Sequence, residues 1–383
     1  MSVGLSFPAI PVIVITGFLG SGKTTLLQRL LSSPDLADTA VLINEFGEVG
    51  LDHHLIRKTD ETTVMLASGC VCCTIRDDLG VAMRDLLARR AAGEIPPFRR
   101  LIMETTGLAD PIPILYTLMT EPAVDKAFRL RSVIATVDAV NGKAHLARQP
   151  ESVKQAAIAD RIVITKTDLV DRRTTDALTA RLRRLNPSAV ILTAPSPPLC
   201  VDTLLSGDAF AFEGRAADVR AWLNDGAYRD LAEHPHASAE AARHDERIAA
   251  CCLRFDEAVD WTAFSVWLTL LLHRHGADVL RIKGLVSVAG FSGPVVIHGV
   301  QHVIHPPVHL DAWPDEDRGS RIVFITRGIP RDVLAASLSA FDHASRRLEA
   351  EAGEEAAEAV PLGAGTEVGG RPYRRRGGPA WLR

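Results

Sequence analysis

Gly17-Phe18-Leu19-Gly20-Ser21-Gly22-Lys23-Thr24 meets the P-loop pattern G-x-x-x-x-G-K-[ST] at every position. The chemistry these types allow is phosphate binding. Gly17, Gly20 and Gly22 let successive backbone N–H groups face one anion. The helix expected from Thr24 onward adds its positive end. Lys23 would reach the terminal phosphates, and the Thr24 hydroxyl would ligate Mg²⁺. The competing reading is a plain Gly-rich turn.

Three further groups extend that chemistry. Thr165-Lys166-Thr167-Asp168 follows an apolar run. A carboxylate at Asp168 can accept hydrogen bonds from both the ring N–H and the exocyclic amine of guanine. Adenine offers no such pair of donors and would leave the charge unmatched. The Lys166 stem can cover the base. Thr165 stands where the guanine-specifying pattern has Asn. Leu101-Ile102-Met103-Glu104-Thr105-Thr106-Gly107 ends an apolar run on an acid, so Glu104 is placed at the Mg²⁺ shell. Gly107 allows a close approach to a γ-phosphate. In Asn44-Glu45-Phe46-Gly47-Glu48, Glu45 is a candidate for the Mg²⁺ shell or for positioning the attacking water. Lys23, Glu45 and Glu104 are thus the candidate catalytic residues. A polar turn at residues 104–107 and solvated acids at residues 44–48 are the competing readings.

Cys70, Cys72 and Cys73 put three thiols on one short loop. Thiolates bind Zn²⁺, Cu(I) and similar ions. Three sulfurs leave a fourth position open, which suits a transferable metal better than a closed structural site. Buried small cysteines and a redox pair are the alternatives. Cys251 and Cys252 should point to opposite faces of a strand, making them poor joint ligands. His234, His236 and His244 read as solvated loop residues, and His298, His302, His305 and His309 as surface or core histidines.

These groups need a scaffold. Short apolar runs at 12–16, 40–43, 63–66, 101–104, 132–138, 161–165 and 189–192 alternate with helical patterns. That predicts an α/β fold: a P-loop domain over residues 1–205 with a mostly parallel sheet and its ligands at the carboxyl edge. Residues 206–247 read as a linker. Residues 248–345 read as a smaller α+β domain, with a helix over 331–341, and residues 346–383 as a disordered tail.

The chain has 383 residues and a formal net charge of -4, which argues against a protein held on nucleic acid by a basic surface. No apolar run is long enough for a membrane helix, and no signal peptide is evident, so a cytoplasmic location is expected.

Taken together, GFLGSGKTTLL (17–27), NEFGEVGLD (44–52), GCVCC (69–73), ETTGLADP (104–111), TKTD (165–168) and LNP (185–187) resemble the CobW-type metallochaperone GTPases. RIKGLVSV (281–288) and VFITRGIP (323–330) resemble the C-terminal domain of that family. The resemblance implies a fold related to the UreG and HypB GTPases and slow, Mg²⁺-dependent hydrolysis of GTP to GDP. It implies Zn²⁺, or a similar metal such as Co²⁺, at Cys70, Cys72 and Cys73, and delivery to a client metalloprotein. It also implies phosphate contacts from Ser21 to Thr25 and guanine selection by Asp168. A homo-oligomer is compatible with it. A cobalt or nitrile-hydratase metallocentre factor, a metal sensor with incidental hydrolysis, and a P-loop metabolic kinase are the competing functions.

Overall fold

The computed structural model describes residues 9–44, 64–68, 75–121, 124, 126–194, 204, 219 and 248–358. Glu45, Cys70, Cys72, Cys73, the three linker histidines and the segment from 359 onward lie outside the described residues.

The first part of the chain runs β1 (Ile10–Gly17), α1 (Lys23–Leu31), β2 (Thr39–Asn44), β3 (Val64–Ser68), α2 (Ile75–Ala91), β4 (Arg100–Glu104), α3 (Ile112–Thr120) and β5 (Phe128–Asp138). It continues through α4 (Gly142–Arg148), α5 (Pro150–Ile158), β6 (Arg161–Thr165), α6 (Arg172–Leu185) and β7 (Val190–Thr193). The seven strands form one sheet in the order β3-β2-β4-β1-β5-β6-β7, and every pairing is parallel. The reason lies in β1. Val12 and Val14 pack into one apolar cluster and Ile13 and Ile15 into another. A strand that is apolar on both faces is stable only with helices on both sides, the arrangement of a parallel sheet. β1 lies between β4 and β5, so the chain order reverses around it, and the crevice at its carboxyl end is where ligands bind in such sheets.

β5 starts at Phe128, four residues earlier than its continuous apolar run predicts. There Phe128 and Leu130 are buried while Arg129 is exposed, so the strand begins as a half-buried alternation.

The second domain comprises β8 (Ile248–Phe255), α7 (Trp261–His275), β9 (Val279–Val286), β10 (Val295–Val300), the short β11 (Val303–Ile304) and β12 (Val308–His309), β13 (Ser320–Arg327) and α8 (Arg331–Glu358). Its main strand order is β11-β10-β9-β13-β8, and the pairings are antiparallel. α8 runs well past Phe341, where the predicted helix stops, and takes in residues 346–358 of the expected tail. The added stretch is rich in Ala and Glu, both strong helix formers.

One face of this second sheet packs on α7 and α8, through Cys251, Ile282 and Phe324. The other face joins the core of the first domain, through Cys252, Leu285 and Val323. The two cysteines therefore do lie on opposite faces. Burial raises their thiol pKa values to about 12 and about 11, so neither is a ready thiolate at neutral pH.

A polar clasp crosses the junction of the domains. The Arg281 guanidinium donates to the Ile158 carbonyl and to Oδ1 of Asp160. Lys283 Nζ lies 3.8 Å from the same Oδ1. The second oxygen of Asp160 accepts the Val133 N–H of β5 at 2.9 Å. Asn186 closes the neighbouring end of α5, its Nδ2 donating to the carbonyls of Ala156, Ala157 and Ala159 at 2.8–3.0 Å. That accounts for the polar residue in LNP.

Candidate nucleotide site

The loop from Gly17 to Gly22 joins β1 to α1; it is tied from two strands, and the end of β1 that leads into it is held by a residue just past a third. The Thr136 hydroxyl of β5 pairs with Ser21 Oγ at 2.6 Å. The Thr165 hydroxyl of β6 donates to the Ser21 carbonyl at 2.7 Å. Thr105, just past β4, donates its hydroxyl to Thr16 Oγ1 at 2.9 Å and its N–H to the Ile15 carbonyl at 2.9 Å. Gly17 has φ +145°, and a Cβ there would stand 2.3 Å from Thr136 Oγ1 and 2.5 Å from its carbonyl. The first glycine is thus required by both conformation and space.

Lys23 folds back over the loop, with Nζ 3.0 Å from the Gly17 carbonyl and 3.3 Å from that of Phe18. The ammonium is therefore held at the mouth of the cradle. Thr24 donates its hydroxyl to Glu104 Oε1 at 2.7 Å, across 80 residues of sequence. Glu104 is buried at the end of β4. A hydroxyl and a carboxylate in contact beside a phosphate cradle are the hard oxygen donors Mg²⁺ takes, so the residues present fit that ion.

Gly107 lies against the loop: a Cβ there would meet Leu19 N at 2.7 Å. The turn after β4 is fixed from the side by α5. Gln155 Nε2 donates to the carbonyls of Gly107 and Ala109 at 3.2 and 3.1 Å, and Lys154 pairs with Asp110 at 2.8 Å.

On the other flank is a cavity of about 220 Å³, lined in part by Gly22, Thr25, Arg29, Lys166, Asp168 and Leu169. Thr25 thus faces this cavity. Lys166 has left-handed backbone, φ 56°, and its Nζ bonds Asp138 Oδ2 at 2.9 Å. Asp138 ends β5, its side chain fully enclosed, and also accepts the Val140 N–H at 2.7 Å and Asn141 Nδ2 at 2.9 Å. Burial pushes its pKa up, but the bonds from Lys166, Asn141 and Val140 outweigh that and hold the carboxyl below its ordinary value.

The structure therefore gathers Gly17, Gly20, Ser21, Gly22, Lys23, Thr24, Thr25, Glu104, Gly107, Lys166 and Asp168 at the carboxyl edge of the sheet. β2 and β3 deliver the chain to that same edge. Asn44 pairs with Ser68, and Ile43 pairs with Glu104. Glu45 and the three-thiol segment follow directly from those two strand ends. Sequence reasoning missed Thr136 and Asp138. Their one signal is a polar residue at the carboxyl end of an apolar strand.

Residues 11–193 match the CobW/HypB/UreG nucleotide-binding domain. Residues 248–342 match the cobalamin synthesis protein CobW C-terminal domain. The chain is 31% identical over 330 residues to the zinc chaperone YjiA of Escherichia coli, covering 86% of this chain and 98% of that protein. It is 29% identical over 365 residues to the zinc chaperone CobW of Pseudomonas aeruginosa, covering 86% and 90%. The crystal structure of Zn(II)-bound YjiA GTPase from E. coli superposes with a TM-score of 0.67 at 27% identity, covering 88% of this chain and 99% of that one. With both of its domains matched in order, and with the P-loop, Glu104 and Asp168 gathered at one sheet edge, this chain belongs to the CobW family of nucleotide-binding proteins.

Proposed function

We propose that this protein is a GTP-hydrolysing metal chaperone that takes Zn²⁺ as cargo at Cys70, Cys72 and Cys73 and passes it to a client metalloprotein. The observation that carries the reading is the contact between Thr24 and Glu104 inside a P-loop already braced for phosphate. It is supported by relatives named zinc chaperones and by a solved relative named as a Zn(II)-bound GTPase.

In this mechanism Asp168 selects guanine and Lys166 covers the base. The loop amides and Lys23 take the β- and γ-phosphates, Lys23 exchanging its two carbonyl bonds for phosphate oxygens. Thr24 and Glu104 would hold Mg²⁺, which supplies neutralising charge as the γ-phosphoryl leaves. Glu45 is assigned to orienting the attacking water, and Gly107 lets the loop after β4 follow the γ-phosphate. A cytoplasmic location suits thiols that must stay reduced to bind metal.

The test is zinc titration against a chelating dye in the presence of GDP and of a non-hydrolysable GTP analogue. Cys72→Ser and Cys73→Ser together should abolish sub-micromolar binding. Parent affinities should differ at least about fivefold between the nucleotide states, the low end of typical coupling. Equal affinities would leave the zinc site and the GTPase unconnected, and zinc binding retained by the double variant would remove the thiol site.

A further inference from the structure

Lys166 and Asp168 line the same cavity, two residues apart. A lysine beside a carboxylate that must accept two hydrogen bonds is a hazard. Its ammonium can turn onto that carboxylate and occupy the acceptor that the base needs. Here the ammonium is drawn away, 2.9 Å from Asp138 Oδ2. The backbone at Lys166 is left-handed, which a non-glycine residue sustains only where its surroundings hold it. Asp138 is itself held in place, its enclosed carboxylate accepting hydrogen bonds from Val140, Asn141 and Lys166. Among the described residues, Lys166 forms its ion pair with Asp138 and none with Asp168.

We infer that Asp138 is a specificity-determining positioning residue: by sequestering the Lys166 ammonium it keeps the Asp168 carboxylate available to read the base. The inference rests on the assignment of Asp168 as guanine selector. Asp138 is not among the residues that line the cavity. It acts through Lys166, and its loss should be felt in base discrimination rather than in phosphate chemistry.

The experiment measures equilibrium binding of GTP, ATP and xanthosine triphosphate to the full chain. Asp138→Asn should lower the GTP-to-ATP preference at least about tenfold, the low end for losing a hydrogen bond to a charged group. Adding Lys166→Met to Asp138→Asn should restore the preference to within about threefold of the parent, because no ammonium remains to cover Asp168. That rescue is a readout that simple loss of packing cannot give. Lys166→Met alone, at a part-exposed position, should weaken GTP and ATP alike and leave their ratio unchanged. This arm keeps the inference testable even where Asp138→Asn folds poorly. An unchanged ratio in Asp138→Asn, no recovery in the double variant, or a fallen ratio in Lys166→Met would each overturn the role given to Asp138. Asp168→Asn tests the underlying assignment separately. An amide donor there should turn preference from GTP to xanthosine triphosphate, and failure to do so overturns the base reading and this inference with it.

Discussion

Asp160→Asn should loosen the second domain. Asp160 is the carboxylate of the clasp. It receives Arg281 and approaches Lys283 through Oδ1, and it accepts the Val133 N–H through Oδ2. An asparagine keeps one acceptor oxygen, enough for either Val133 or Arg281 but not both. Breaking a buried ion pair by removing one partner costs about 3–5 kcal/mol. Two features of the clasp put this case at the lower end. Arg281 keeps its bond to the Ile158 carbonyl. Burial lowers the Lys283 pKa to about 7, so at pH 8 that lysine is already mostly uncharged and is not stranded. The expected loss is therefore about 3 kcal/mol. With a slope of about 2 kcal/mol per M urea, the midpoint should fall by about 1.5 M.

Intrinsic fluorescence reads this well, because Trp222, Trp261, Trp267, Trp313 and Trp381 all lie after the first domain. Arg281→Met should cost less, since an apolar chain of similar length replaces a buried ion pair. The double variant should be more stable than Asp160→Asn alone, because the stranded guanidinium is gone. A shift below about 0.3 M for Asp160→Asn, under a fifth of that expected from the assumed slope, would refute the reasoning.

Three other outcomes are expected. Lys23→Ala should abolish GTP turnover in a folded protein; near-parent phosphate release would remove Lys23 from the phosphate site. Gly17→Ala should weaken nucleotide binding at least about tenfold, since its Cβ cannot avoid Thr136; unchanged affinity in a fluorescent-GDP titration would contradict the described cradle. His305 is pushed down to about 3 by burial, with Arg281 adding to the shift. Its folded pKa lies below its unfolded value of 6.5, so its contribution to stability is full above about pH 6.5 and falls as pH drops toward 3. Urea midpoints at pH 7.5 and 5.5 should therefore differ less in His305→Phe than in the parent, and identical slopes would disprove it.

What the sequence made legible has a common property. The P-loop, the end of β4 and the TKTD turn each carry their chemistry within eight residues, and each follows an apolar run that announces a strand. The parallel sheet was readable for the same reason. What stayed hidden depends on partners far apart in sequence. Thr136 meets Ser21 across 115 residues, and Thr165 meets its carbonyl across 144. The same hydroxyl at Thr165 that departs from the guanine pattern turns out to brace the P-loop. Arg281 and Lys283 sit inside an otherwise apolar strand, where a reading by hydropathy has no way to bury a charge. Asp160, whose carboxylate receives them, lies more than 120 residues upstream. The end of α8 was missed because Ala and Glu suit both a helix and a disordered tail.

The lashing of the P-loop by Thr136 and Thr165, and of the strand end before it by Thr105, also bears on speed and selectivity. A mould whose shape is set by the strands around it does not have to be ordered by its guest. Less of the phosphate attraction is lost to freezing the loop, and more appears as affinity. The diphosphate portion common to GTP and GDP meets the same stiff surface in both cases. In the proposed mechanism, telling one nucleotide from the other would fall to the segments that follow β2, β3 and β4 in the chain. Those are the segments that carry Glu45, the three thiols and Gly107. In the proposed chaperone, a single lost phosphate would then be read by the segments that carry the thiols rather than absorbed by the cradle.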